Sequence, residues 1–371
     1  MPVASVTALR APSLRIATRA LLISTIRWRP GSTGGAARGR WRASAAYCRG
    51  SVESRAAAMS SASVVAASGA QQGRTRPSQG ELVEGVLERM ASSKPRDRQR
   101  MVDIGINLMD KAYDKDREAV LGRAARAGVD TLVVTGCCER TSRVAHDYVS
   151  TGPSRQGCEL YFTTGVHPHN AKLCGSETLE DLRRMAAHPR CVAIGECGLD
   201  FNRNFSPPDV QERWFEEQVK LAVELRMPLF LHCREAMPSM LEILGRHRLT
   251  APAVMHCFSG SREELEAVLA LGCHVGITGW VCDDRPERGG AELANLLSTI
   301  PRDKLMIETD GPYLTPRSIK PSRSRPKRNE PALLPVVCQA VAEALGSEPH
   351  EVAAFTTTNA ERCFRLMCNQ P

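Results

Sequence analysis

Eight short β-forming runs recur between residues 102 and 307, with helix-length segments between them, and four of the runs close on a side chain that can bind a metal. The runs fall at residues 102–107, 131–135, 160–166, 191–195, 228–231, 253–255, 274–277 and 305–307. Alternation of this kind predicts an α/β fold built on parallel strands. The four that matter most chemically are CVAIGE, PLFLHC, APAVMHC and KLMIETD, which carry Glu196, His232, His256 and Asp310 at their carboxyl ends. A closed ring of strands gathers such ends around one axis, whereas an open doubly wound sheet spreads them out. The expected fold is therefore a (β/α)8 TIM barrel of metal-dependent hydrolase type, spanning residues 101–371. Helices are expected at residues 115–127, 178–187, 262–271 and 291–297, and the clearest one starts at Pro208 with Val210, Trp214, Leu221 and Leu225 on its apolar face.

Charge divides the chain into two parts. Residues 1–100 carry 17 Lys and Arg against 5 Asp and Glu; of the 49 and 41 in the whole chain, this leaves 32 and 36 for residues 101–371. The barrel is thus slightly acidic, and any grip on a polyanion must come from a local patch. The first 52 residues hold nine Arg, no Lys and no acid, a composition that fits a mitochondrial or other organellar transit peptide. The competing expectation is translation from an internal Met (Met59, Met90 or Met101), which would leave the protein in the cytoplasm and nucleus. Residues 1–100 are accordingly read as an extension, disordered over 53–100 apart from a short helix around residues 81–90. The fourteen cysteines are scattered without a CxxC pair and read as reduced thiols, and no apolar run is long enough to span a membrane.

Several constellations carry the chemistry. Gly195-Glu196-Cys197-Gly198-Leu199-Asp200 places Glu196 where its carboxylate can bridge two cations, although a turn shaped only by its glycines explains the motif equally well. His167 and His169, two apart at a strand end, point the same way and can share one phosphate or metal; a turn set by Pro168 is the plainer reading. One histidine in an apolar run is usually a satisfied core residue. Two of them with Glu196 and Asp310 at the same depth would each cost about 1–3 kcal/mol if buried unpartnered, and a divalent cation removes that cost. Glu308 lies two residues before Asp310 and also faces the ring. After the eighth strand come Arg317, Lys320, Arg323, Arg325, Lys327 and Arg328, a basic loop expected to hold phosphates at the mouth of the barrel.

At these residues the sequence closely resembles the TatD family of metal-dependent deoxyribonucleases. The resemblance runs in order through Asp103-Ile104-Gly105-Ile106-Asn107-Leu108, the His167 and His169 motif, residues 195–204, Leu231-His232-Cys233-Arg234, His256-Cys257-Phe258-Ser259-Gly260, residues 276–282, Ile307-Glu308-Thr309-Asp310 and Arg328-Asn329-Glu330-Pro331. It implies Glu196, His232 and His256 as metal ligands and Asp310 as ligand and acid/base. His167, His169, Arg203, Lys327 and Arg328 become phosphate contacts. Asn107 stands where many wider relatives have a histidine, and is a weaker, neutral ligand. The cofactor implied is one or two divalent cations, magnesium first, with manganese or zinc as alternatives. The substrate implied is DNA, single-stranded or at 3′ ends, degraded from the 3′ end toward the 5′ end; the sequence leaves the oligomeric state open and is compatible with a monomer. Two other functions compete: hydrolysis of another ester such as D-aminoacyl-tRNA, since fold and metal set do not decide the substrate, and a degenerate barrel serving as an interaction scaffold.

Overall fold

A computed structural model describes residues 76–92 and 99–366. In chain order it contains α1 (Gln79–Ser92), β1 (Met101–Ile106), α2 (Arg117–Arg126), β2 (Val129–Val134), α3 (Glu139–Thr151), β3 (Ser154–Arg155), β4 (Cys158–Thr164), α4 (Thr178–Ala186), β5 (Cys191–Asp200) and α5 (Pro208–Leu225). These are followed by β6 (Leu229–Arg234), α6 (Met237–Gly245), β7 (Ala253–Met255), α7 (Arg262–Ala270), β8 (His274–Ile277), α8 (Gly290–Leu296), β9 (Leu305–Ile307), α9 (Leu334–Leu345) and α10 (Pro349–Phe364). Each of the eight expected runs is a strand, and they pair in parallel in the order β1-β2-β4-β5-β6-β7-β8-β9. The extra strand, β3, forms a short antiparallel pair with β4 outside this path.

The ring closes just beyond β9. Asp310 N donates to Gly105 O at 2.9 Å and Asn107 N donates to Gly311 O at 2.9 Å, so the chain that leaves the last strand pairs with the first. Closure therefore runs through the backbone of the expected catalytic residue.

Two cores follow from the strand alternation. Val102, Ile104, Val133, Tyr161, Val192, Phe230, Val254 and Met306 fill the inside of the barrel, where Phe364 of α10 joins them. Their neighbours Leu132, Leu160, Phe162, Leu229, Leu231 and Ile307 pack outward against the helices. Inward parity carries straight into the site: Phe230 is followed by His232, Val254 by His256, and Met306 by Glu308 and Asp310.

The helix expected around residues 81–90 is α1. Val83 and Val86 are buried against Ile319, Ala332, Leu333 and Val336, and α1 belongs to the same compact unit as the barrel. The arginine-rich leader expected over residues 1–52 lies outside the described residues. Among the described residues no helix is long and apolar enough to cross a membrane, and twelve cysteines are all free.

α5 departs from its expected orientation. The buried stripe is Gln211, Phe215, Gln218, Val219, Leu221 and Ala222, while Val210, Trp214 and Leu225 are only half-buried. The reason is polar. Gln218 accepts from Val166 N at 2.7 Å and donates to Val166 O at 3.1 Å; Gln211 accepts from Asp200 N at 2.8 Å and donates to Asp200 O and Ser206 O. Two glutamines thus satisfy backbone groups that strand pairing leaves open at the ends of β4 and β5. A hydrophobic count assigns them to solvent, although they hold the loops that carry the site.

Candidate metal centre

Three imidazoles converge on one carboxylate oxygen. Glu196 Oε1 lies 2.9 Å from His256 Nε2, 3.1 Å from His232 Nδ1 and 3.3 Å from His167 Nε2. Glu196 does not end its strand as expected: β5 continues to Asp200, with a break in register against β6 between Gly195 and Cys197. Positions 196 and 200 share a face, so Asp200 joins the site. Its Oδ2 bonds His169 Nε2 at 2.7 Å and lies 3.6 Å from His232 Nε2, while its Oδ1 accepts from Asn202 N and Arg203 N. Asp200 therefore orients His169 and shapes the loop that follows.

Glu308 is fully buried and orients His256. Its Oε1 accepts from Cys257 N at 2.6 Å, and its Oε2 faces His256 Nδ1 at 3.4 Å, which leaves Nε2 turned to Glu196. A carboxylate behind a ligating imidazole settles its tautomer and angle. Two glycines make room for it: a Cβ on Gly105 would lie 2.3 Å from Glu308 Oε2, and one on Gly276 would lie 2.5 Å from Oε1.

Asp310, reached through a left-handed backbone turn (φ 51), accepts from Asn107 Nδ2 at 3.0 Å. The other end of the Asn107 amide, Oδ1, accepts from Cys137 Sγ at 3.3 Å, and the same sulfur lies 3.5 Å from Glu196 Oε2. His167 Nδ1 accepts from His169 N at 3.1 Å, so the neutral ring carries its proton on Nε2 and acts as a donor toward Glu196.

The electrostatics describe a centre short of positive charge. Burial pushes Glu196 up, but the charge of His256 and the bonds from His256 and His232 hold the carboxyl well below its usual range. Burial likewise opposes charge on His232 and His256, yet Asp200 and Glu196 raise the first, and Glu196 with Glu308 raises the second well above normal. Asp310 is pushed up to about 8 by burial, with His256 opposing and Glu196 and Glu308 adding to the rise. Burial drives His167 well below its usual value and toward neutrality. No Lys or Arg side chain takes part in these contacts, so without a cation protons on imidazole balance the carboxylates.

A divalent cation fits this donor set. His167, Glu196 and His232 bring donor atoms within 4.8 Å of one another; with His167 Nε2 carrying its proton, the free ligand atoms are those of Glu196, His232 and His256, and His232 Nε2 is a buried nitrogen with no hydrogen-bond partner. Imidazole and carboxylate together suit zinc, manganese or magnesium.

The expected phosphate contacts are placed less uniformly. His167 and His169 join the centre. Arg203 is exposed, with its guanidinium 6.0 Å from the Phe205 ring, and that ring stacks edge-on with His169 at 4.7 Å. Lys327 is exposed, whereas Arg328 is engaged with Asp116 at 2.7 and 2.8 Å and with Glu330 at 3.1 Å. Arg317 and Lys320 likewise pair with Asp284 at 3.0 and 2.6 Å. Asp200 and Cys137 are site residues not assigned from sequence. The parity of Asp200 with Glu196 was a usable signal, whereas nothing local distinguishes Cys137 from other cysteines.

Residues 102–365 match the family model described as TatD related DNase. The chain is 48% identical over 267 residues to a 3'-5' ssDNA/RNA exonuclease TatD of Erwinia billingiae, covering 72% of this chain and 99% of that protein. It is 46% identical over 267 residues to the Escherichia coli K12 protein of the same description, covering 72% and 99%. A crystal structure of a TatD homologue from Escherichia coli K12 superposes with a TM-score of 0.65 at 26% identity, over 73% of this chain and all of that one. A TatD family hydrolase from Entamoeba histolytica gives 0.63 at 26%, covering 72% and 98%.

Proposed function

This chain belongs to the TatD-related DNase family, and from that premise we propose that it is a metal-dependent exonuclease that removes nucleotides from the 3′ ends of single-stranded DNA. The observation that carries the reading is the convergence of His167, His232 and His256 on Glu196 Oε1. Glu196, His232 and His256 would hold a divalent cation, magnesium in the first instance, with Asn107 as a weaker neutral donor. When bound, such an ion adds positive charge at the phosphodiester and makes a water more acidic.

The protein's own groups divide the remaining work. Asp310 accepts the proton of the attacking water; Asn107 bonds its Oδ1, which leaves Oδ2 for that task. His167, whose proton is held on Nε2 by the bond from His169 N, turns that donor from Glu196 to a phosphate oxygen when substrate enters. His169, held by Asp200, lies beside Phe205, which is 49% exposed. An exposed ring at the rim is suited to stack an unpaired base, worth about 1–3 kcal/mol per base, and this favours single strands.

Turnover of 3′-labelled single-stranded DNA by the full chain with magnesium is the test, run beside duplex DNA and charged tRNA. Asp310→Asn should lower the rate about 10²–10⁴-fold. An unchanged rate in that variant would remove Asp310 from the mechanism, and faster turnover of charged tRNA would replace the substrate.

A further inference from the structure

We propose that Cys137 is a cation ligand, and that with Asn107 Oδ1 and Glu196 Oε2 it forms a second position in the centre that prefers thiophilic ions such as zinc over magnesium. This rests on the reading of Glu196 as a metal ligand.

The spacing of the donors is the first argument. Bonds of about 2.3 Å to sulfur and about 2.0 Å to oxygen separate tetrahedral S and O donors by roughly 3.5 Å. Cys137 Sγ lies 3.3 Å from Asn107 Oδ1 and 3.5 Å from Glu196 Oε2. The same carboxylate turns its other oxygen to the three histidines, so Glu196 faces two positions at once.

Orientation is the second argument. Among the described cysteines, Cys158, Cys191, Cys197 and Cys338 direct sulfur to backbone carbonyls. Cys138 and Cys257 turn theirs to threonine hydroxyls. Cys137 presents its sulfur to an amide oxygen and a carboxylate oxygen of the centre, and the direction of the Asn107 amide is set by Asp310 on its other end.

The segment is also held rigid. Gly136 N donates to Thr163 Oγ1 at 3.0 Å and Cys137 N to Thr141 Oγ1 at 2.9 Å, while Glu196 N and His167 N donate to Gly136 O and Cys137 O at 2.8 and 3.0 Å. Bonds from β5 and from the end of β4 thus place the sulfur before any ion arrives, as a preorganised ligand requires. Sulfur binds a cation as thiolate and selects soft ions, which the oxygen and nitrogen donors alone do not.

Cobalt titration of the reduced, metal-free full chain tests this without reference to turnover. The wild type should develop a near-ultraviolet thiolate-to-cobalt absorption that Cys137→Ser lacks and Cys138→Ser retains. Alkylation of Cys137 in the wild type, mapped by mass spectrometry, should slow with zinc and be unaffected by magnesium, a readout that needs no variant. An absorption that survives in Cys137→Ser, or alkylation at one rate with and without zinc, overturns the proposal. Loss of magnesium-dependent nuclease activity alone would instead count against the exonuclease reading and leave the sulfur signal in place.

Discussion

Two buried charge clusters sit in this barrel, and they differ in whether their charges cancel. Beside α2, Arg123 makes a two-point contact with Glu330 at 2.5 and 3.0 Å and reaches Asp116 at 3.2 Å, while Arg328 closes the circuit to both acids. Two permanent cations face two carboxylates, one of which, Glu330, is fully buried. In the strand-end centre the only side chains able to offset Glu196, Asp200 and Glu308 with positive charge are imidazoles, which do so by taking up protons, while Asp310 beside Asn107 is pushed up to about 8 and toward its neutral form. The closed cluster balances its own charges and acts as a strut. The open one calls for a cation.

The largest expected effect separates the two directly. Arg123→Met leaves Glu330 buried with less compensation and should lower the free energy of unfolding by about 3–5 kcal/mol, the range for breaking a buried pair. Denaturant unfolding reads it, and cation affinity measured on the folded protein should not move; a parallel loss of affinity would show that the clusters are one unit. Glu308→Gln probes the opposite side, weakening the hold on His256 and lowering cation affinity about 10–100-fold in calorimetry. Affinity equal to wild type would make Glu308 a packing residue.

Asp103 gives a pH test between the two. It accepts from Thr309 N at 2.9 Å and Gly105 N at 3.3 Å, and burial raises its carboxyl to about 7. The folded state therefore binds this proton more tightly than the unfolded chain does. Stability should fall as pH rises from about 4 toward 7, by at most about 1.4 kcal/mol per pH unit from this group in the metal-free protein. Asp103→Asn should flatten that slope; an identical slope would exclude Asp103 as its source.

The smallest effect concerns α1, which lies ahead of the matched residues 102–365. Gln79 accepts from Lys327 N and Arg328 N at 3.2 and 3.3 Å and donates to Arg328 O at 2.7 Å, fastening α1 to the loop that carries the strut. Gln79→Ala should cost about 1 kcal/mol and speed amide exchange in residues 79–92 while cation affinity stays constant. Unaltered exchange there would mean that Val83 and Val86 hold the helix without it.

Much of this was legible in local pattern. Short apolar β-forming runs separated by helix-length segments mark all eight barrel strands, and β7, β8 and β9 fall on the expected residues, because strands buried on both faces read as continuous apolar runs. What local pattern missed depends on contacts between residues distant in sequence. The buried face of α5 was misassigned because Gln211 and Gln218 serve the backbone of loops built elsewhere. Arg328 reads as a free cation in a basic run, yet Asp116 lies 212 residues away from it in sequence. Cys137 gains its meaning only when β2 and β5 bring it to Glu196.

The central claim is that the strand-end centre holds a divalent cation through Glu196. Calorimetric titration of metal-free full chain with magnesium and with manganese, in wild type and in Glu196→Gln, tests it most directly. The account predicts saturable binding in the wild type, with about 2.7 kcal/mol of added stability at a hundredfold excess over Kd, and neither effect in the variant. Equal binding and equal stabilisation in Glu196→Gln would contradict it.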